Sequence, residues 1–140
     1  MGELSHRIRV FVFRFDGGVE PSYLLLRGAQ MESFWTPLHG QIGFGEQLES
    51  AIRREVMEET GLGRPVQLID LQMPSRWLVG DEQVIEWNFG FRAAPSPVTR
   101  LDGDRWAEHR WAAFPQAYPS LEFQNDRAAI MRLHALVHAA

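Results

Sequence analysis

Three glutamates, Glu55, Glu58 and Glu59, fall within little more than one helical turn of the segment Gly40 to Leu62, which reads GQIGFGEQLESAIRREVMEETGL. Carboxylates three and four positions apart on a helix are neighbours that repel one another, so the pattern calls for a compensating cation. A divalent ion bridging to phosphates would meet that need. Magnesium is the natural choice, being hard, oxygen-seeking and commonly held by a few carboxylates together with substrate phosphates and water. Manganese is a ready substitute. At about 3.6 residues per turn, Leu48, Ile52 and Val56 share a broad side with Glu55 and Glu59, which argues against a freely solvated acidic stripe, while Arg53 and Met57 project away. Arg54 stands four residues before Glu58 and can pair with it. The bland alternative is an amphipathic helix with a charged outer face, as charge runs commonly are.

The flanks of this helix have their own logic. Gly40, Gly43 and Gly45 make a loop whose backbone can approach a ligand closely. Glu46 is expected to open the helix, where a negative side chain suits the positive end of the dipole. Gly61 is a plausible left-handed stop. The segment therefore reads as loop, helix, loop.

The same residues match every specified position of the Nudix box, G-x5-E-x7-R-E-U-x-E-E-x-G-U with U a bulky aliphatic residue: Gly40, Glu46, Arg54, Glu55, Val56, Glu58, Glu59, Gly61 and Leu62. At average residue frequencies a chance match is on the order of one in a billion per starting position. The chain thus resembles the Nudix hydrolases. The resemblance implies that Glu55, Glu58 and Glu59 bind metal, that Arg54 orients a glutamate by ion pairing, and that the backbone carbonyl of His39 supplies a further ligand. His39 is a departure, since many relatives carry glycine there. The implied reaction is metal-assisted attack of water on phosphorus in a diphosphate linkage, with little need for a covalent enzyme intermediate. More loosely, Phe34-Trp35, IEWNFGF, Arg110-Trp111 and the Asn125–Ile130 segment resemble the bacterial dihydroneopterin triphosphate pyrophosphatases. A (deoxy)nucleoside triphosphate or dihydroneopterin triphosphate is accordingly the first expectation for substrate, with diadenosine polyphosphates and ADP-ribose open. A catalytically silent nucleotide-binding regulatory module is the rival from another class, disfavoured because every box glutamate is present. An RNA-cap hydrolase is disfavoured by the lack of a basic patch.

The box does not specify the general base. Glu108, in AEHRW ahead of an expected strand from Arg110 to Ala113, is the first candidate, and Glu86 in VIEWNFGF the second. Box Glu55 or Glu58 could also activate water. For Glu108 and Glu86 an ordinary exposed carboxylate is an equally good reading. Arg27 at a strand end suits phosphate through its bidentate fork. Phe34, Trp35, Trp77 and Trp87 could stack on a base or pterin ring, although core packing is the commoner use of aromatics. His134 and His138, four apart on the last helix, imitate a metal pair but have no third ligand nearby in sequence, and the helix dipole alone favours histidine there.

The elements that position these residues follow from patterning. Residues Ile8 to Phe15 and Tyr23 to Leu26 predict two strands joined through Asp16-Gly17-Gly18. Val66 to Leu71 and Val84 to Phe91 predict two more, with a polar turn at Val79–Glu82 between them. Pro95 to Asp104 is expected as loop, and a last helix is expected to begin near Asn125 or Asp126, with Ile130, Leu133 and Val137 inward. This order suggests an α/β (α+β) arrangement, and the resemblance implies an alpha-beta-alpha sandwich with a mixed sheet. Its 140 residues, 45% hydrophobic and 23% charged with net charge -4, are expected to form a single domain, 1–140. No apolar run is long enough to span a membrane and the N-terminus lacks a signal-peptide pattern, so a cytoplasmic location without membrane partner is expected. The absence of cysteine excludes disulfides and thiolate metal sites. The mild acidity argues against a stable nucleic-acid partner. The apolar Trp77-Leu78-Val79 permits a homodimer interface.

Overall fold

In β1 (Leu4–Arg14) the apolar residues alternate so that Ile8, Val10 and Val12 enter one core cluster while Phe11 and Phe13 enter another. A strand buried on both sides must lie inside a sheet covered on both faces, and β1 does. The computed structural model describes residues 3–29, 34–95 and 99–139, apart from the side chain of Ala139. In chain order the further elements are β2 (Ser22–Gly28), β3 (Trp35–Thr36), β4 (Leu38–Gln41), α1 (Leu48–Thr60), β5 (Gln67–Asp70), β6 (Ser75–Val79), β7 (Glu82–Arg92), β8 (Trp106–Ala113), α2 (Phe114–Ser120) and α3 (Gln124–Ala139). Among the described residues the result is a mixed eight-stranded sheet with three helices.

Its axis is the parallel pairing of β1 with β7, which runs from Leu4↔Gln83 to Phe13↔Arg92. The opposite edge of β1 changes partner along its length, with β4 taking Arg7 to Val10 and β2 taking Phe13 and Arg14. Likewise β7 pairs with β6 in its first half and β5 in its second, and β8 extends the sheet beyond β2. Helix α1 packs Ala51, Ile52 and Val56 on the Ile8–Val10–Val12 face, and α3 packs Ala129, Ile130 and Leu133 on the Phe11–Phe13 face. These layers fulfil the expected sandwich. The buried side of α1 also carries Glu55 and Glu59, as its spacing predicts, and Met57 is exposed.

Several elements differ from expectation. Helix α1 begins at Leu48 behind Gln47, so Glu46 lies in the preceding loop and does not open the helix. Strand β6 was not expected; it forms a hairpin with β7 through Gly80-Asp81, and its exposed Leu78 and Val79 gave no alternating signal. Strand β8 starts at Trp106, which puts Glu108 inside the strand. Helix α2 was not expected; it carries Pro115 in its first turn, where a helix tolerates proline, and Pro119 near its end. Helix α3 starts at Gln124, next to the expected Asn125 or Asp126, and Asp126 lies within its first turn. Residue 95 and residues 99–104 are irregular, as expected for the loop; its residues 96–98 lie outside the described set. Among the described residues, no helix is long and apolar enough to cross a membrane.

Candidate active site

The carboxylates of α1 meet the sheet at β4, and glycine makes the meeting possible. A Cβ on Gly40 would lie 2.6 and 2.7 Å from the two Glu55 carboxylate oxygens, so any larger residue would expel that side chain. The helix then ends cleanly after Glu59 and Thr60: Gly61 adopts φ 73° and its N–H bonds Met57 O at 2.9 Å.

Glu46, though outside the helix, organises the loop ahead of it. Its Oε1 accepts from Gly43 N–H at 2.8 Å and from Arg54 Nη2 at 2.9 Å, and its Oε2 accepts from Arg54 Nε at 2.8 Å. These donors, Arg54 foremost, hold the Glu46 carboxyl down at about 2. Arg54 also donates to the Gln41 carbonyl at 3.0 Å, to Glu55 at 3.0 Å and to Glu58 at 3.2 Å. One guanidinium therefore ties loop, β4 and helix together, including the pairing with Glu58 that the spacing predicts.

On the other side of the acids stands Arg105, which sequence reasoning did not single out. Its guanidinium donates to Glu59, to the His39 carbonyl and, at 3.0 Å, to His39 Nδ1, and it lies 3.8 Å from Glu55. Glu59 Oε2 also accepts from the Trp106 indole at 2.7 Å. Burial pushes the Glu59 carboxyl upward, against these donors. Burial and the nearby Arg9, Arg105 and Arg7 hold His39 down at about 3, so the ring is neutral and can accept from Arg105. The signal that could have revealed Arg105 is charge balance: a knot of acids half inside the protein requires cations.

Four carboxylates, Glu46, Glu55, Glu58 and Glu59, face two arginines, Arg54 and Arg105. Glu58 keeps 61% of its side chain exposed, whereas Glu55 and Glu59 are buried. A cavity of about 400 Å³ opens beside them, lined by Arg7, His39, Gly40, Gln41, Glu55 and Arg105. The donor set fits a hard divalent ion. Glu55, Glu59 and the His39 carbonyl already converge on one cation, the Arg105 guanidinium, and Glu58 adds an oxygen donor from the same helix.

The remaining sequence candidates are placed elsewhere. A register shift between Arg27 and Gly28 of β2 sets Trp106 opposite Gly28 and Glu108 opposite Arg27. Trp106 thereby enters the core beneath α1, while Glu108 ion-pairs with Arg27. Arg27 is thus engaged with Glu108 and with the Trp35 ring, 5.9 Å away, and Trp35 also lies 4.8 Å from Arg110. Phe34 packs edge-on against Phe123. None of Arg27, Phe34, Trp35 or Glu108 lines the carboxylate cavity. Glu86 is buried in a cluster with Arg9 and Asp126, and burial raises its carboxyl. Trp87 and His6 line a cavity of about 640 Å³ together with Gly43 and Gly45 of the glycine loop, and it shares Gln41 with the first. Trp77 lines a cavity of about 300 Å³ at the β6–β7 hairpin.

Comparison with known proteins agrees with this geometry. The family model described as NUDIX domain matches residues 5–133. The chain is 33% identical over 123 residues to an octanoyltransferase of Myxococcus xanthus, an alignment taking in 84% of this chain and 34% of that protein, so the chain spans about a third of that relative's length. Among solved structures, a protein described as a NUDIX hydrolase from Listeria monocytogenes superposes with TM-score 0.83 at 18% identity, covering 96% of this chain and 94% of that one. The dihydroneopterin triphosphate pyrophosphohydrolase of E. coli superposes with TM-score 0.76 at 20% identity, covering 96% and 99%. At these identities the superpositions establish a shared fold.

Proposed function

The chain belongs to the NUDIX family, and from that premise we propose that it is a metal-dependent pyrophosphohydrolase, a hydrolase acting on acid anhydrides. Its substrate is a (deoxy)nucleoside triphosphate or dihydroneopterin triphosphate, cleaved to monophosphate and pyrophosphate. The observation that carries this reading is the convergence of Glu55, Glu59 and the His39 carbonyl on a single cationic position beside an open, arginine-lined cavity.

Glu55, Glu58, Glu59 and the His39 carbonyl are the residues to hold the metal, with Mg2+ first and Mn2+ as substitute. A divalent ion held by these residues would polarise a phosphoryl oxygen and lower the pKa of bound water. The chain's own residues supply position and charge, which is most of what phosphoryl transfer requires. Arg54 fixes Glu55 and Glu58 by hydrogen bonds of 3.0 and 3.2 Å. Arg7 and Arg105 line the cavity and neutralise the phosphate chain, whose backbone contact is the glycine segment at Gly40. Water attacks phosphorus, the bridging P–O bond breaks with its electron pair leaving on the departing phosphate, and a carboxylate takes the water's proton. Glu55, which lines the cavity, or its helix neighbour Glu58 is the base of choice, because Glu108 and Glu86 stand on other elements outside that lining.

The test is release of phosphate and pyrophosphate, with Mg2+ and with chelator, from dihydroneopterin triphosphate, nucleoside triphosphates, 8-oxo-dGTP, diadenosine tetraphosphate and ADP-ribose. Preferred, Mg2+-dependent cleavage of a triphosphate supports the reading. Preference for diadenosine tetraphosphate or ADP-ribose replaces the substrate and keeps the chemistry. Ligand binding without any cleavage overturns the enzyme reading in favour of a regulatory module.

A further inference from the structure

At the far end of α3 the fold completes a second set of metal ligands that the chain order conceals. His134 and His138, one helical turn apart, are joined by Glu20 from the β1–β2 loop, and one ligand atom from each lies within 4.8 Å of the other two. In sequence, every strand from β2 to β8 lies between Glu20 and the histidines. The missing third ligand is therefore supplied by tertiary structure.

We propose that Glu20, His134 and His138 form a site for a borderline divalent transition ion, of the class of Zn2+, Ni2+ or Co2+, independent of the box carboxylates. The geometry is close to what such an ion needs. Metal–nitrogen and metal–oxygen bonds of about 2.0–2.2 Å at tetrahedral angles place neighbouring ligand atoms roughly 3.3–3.5 Å apart. His138 Nε2 and Glu20 Oε2 already lie 3.3 Å apart. Both side chains are exposed enough, 39% and 60%, to swing the remaining distance toward His134.

His134 is the oriented member of the set. Its ring stacks on Phe114 with centroids 4.1 Å apart, and its Nδ1 shares a hydrogen bond of 2.7 Å with the Tyr23 hydroxyl. A hydrogen bond at Nδ1 sets the tautomer and leaves Nε2 for a metal, the arrangement ligating histidines usually have. Burial pushes the Tyr23 hydroxyl up, so it remains a neutral phenol able to accept from Nδ1–H. Two imidazoles and one carboxylate favour a transition ion over Mg2+, and three protein ligands leave a fourth position for water. The ion would tie the β1–β2 loop to the end of α3.

Titration of tag-free, chelator-treated protein with ZnCl2, followed by calorimetry and by thermal unfolding, tests this. The expected result is one zinc bound per chain outside the box, with Tm raised by several degrees through ligation to the folded state. His138→Ala and Glu20→Gln, both exposed positions, should each weaken that zinc by at least about tenfold and abolish the Tm rise, while leaving the metal-free Tm and the Mg2+-dependent cleavage unchanged. Glu58→Gln should leave the zinc isotherm of this site in place. Zinc affinity indifferent to His138→Ala and Glu20→Gln, or zinc binding lost entirely in Glu58→Gln, overturns the proposal.

Discussion

Two clusters of acids and arginines lie in this fold, and they differ in how far they are open to solvent. On the α3 side, Arg9 makes a bidentate pair with Asp126 at 2.7 and 2.6 Å and also reaches Glu86 at 3.5 Å; the Asp126 side chain is 1% exposed and that of Arg9 13%. On the α1 side, four carboxylates share two arginines whose side chains are about one-third exposed, and the cavity opens onto Glu55. The first cluster, two carboxylates to one arginine, is closed, with little access for water. The second has the same ratio, four carboxylates to two arginines, but stands at an opening. An excess of carboxylates over arginines is common to both; its accessibility is what marks a cation site.

The sharpest way to break this contrast is to remove one open-cluster charge and one closed-cluster charge and compare what is lost. Glu58→Gln should reduce turnover by roughly a thousandfold, comparable with the loss of a major charge-stabilising group, with unfolding unchanged because the side chain is mostly exposed. Retained Mg2+-dependent cleavage would sink the assignment. Asp126→Ala should do the converse, lowering stability by about 3 kcal/mol in urea titrations by leaving Arg9 without its main partner, while the folded fraction keeps its activity. Should Asp126→Ala prove as stable as wild type, the closed cluster is not a structural pair.

Arg105 occupies the cation position of the open cluster, so Arg105→Ala should tighten binding of Mn2+, read by electron paramagnetic resonance, by about tenfold or 1.4 kcal/mol. Unchanged or weaker Mn2+ binding would mean that Arg105 does not compete for those oxygens. His39 stands between the clusters, under the influence of Arg9 as well as Arg105. Its folded-state pKa of about 3 lies below the ordinary value near 6.5, so the unfolded chain takes up a proton that the folded one refuses as pH falls between them. Stability attributable to His39 is therefore present above about pH 6.5 and declines below it, by about 1 kcal/mol at pH 5.5. Denaturation midpoints of His39→Asn should fall less steeply over that interval, and an equal slope would refute the assignment. The smallest effect is expected for Glu108→Gln, less than about threefold on turnover, because that carboxylate is exposed and paired with Arg27. A loss of a hundredfold there would restore Glu108 as the general base.

What the residues determine without the fold is whatever depends on short spacing. The helix that ends at Thr60, its inward acids and the Arg54–Glu58 pair follow from helical periodicity, its stop from Gly61, and the box from Gly40 to Leu62 from residue identity, while the helix start at Leu48 in place of Glu46 does not. The layered α/β arrangement follows from the order of patterned segments. Local patterning failed where tertiary contacts overrode it: α2 carries two prolines yet packs a wholly buried Ala117 into the core, and β6 pairs with β7. Only the tertiary structure decided that Arg105, remote in sequence from α1, fills the place between Glu55, Glu59 and the His39 carbonyl. Only it decided that Glu108 pairs with Arg27, and that Glu20 joins His134 and His138. The physical reason is common to all three. Coulombic and ligand geometry are set by distances of a few ångströms, and between residues far apart in the chain those distances are products of strand register and helix packing.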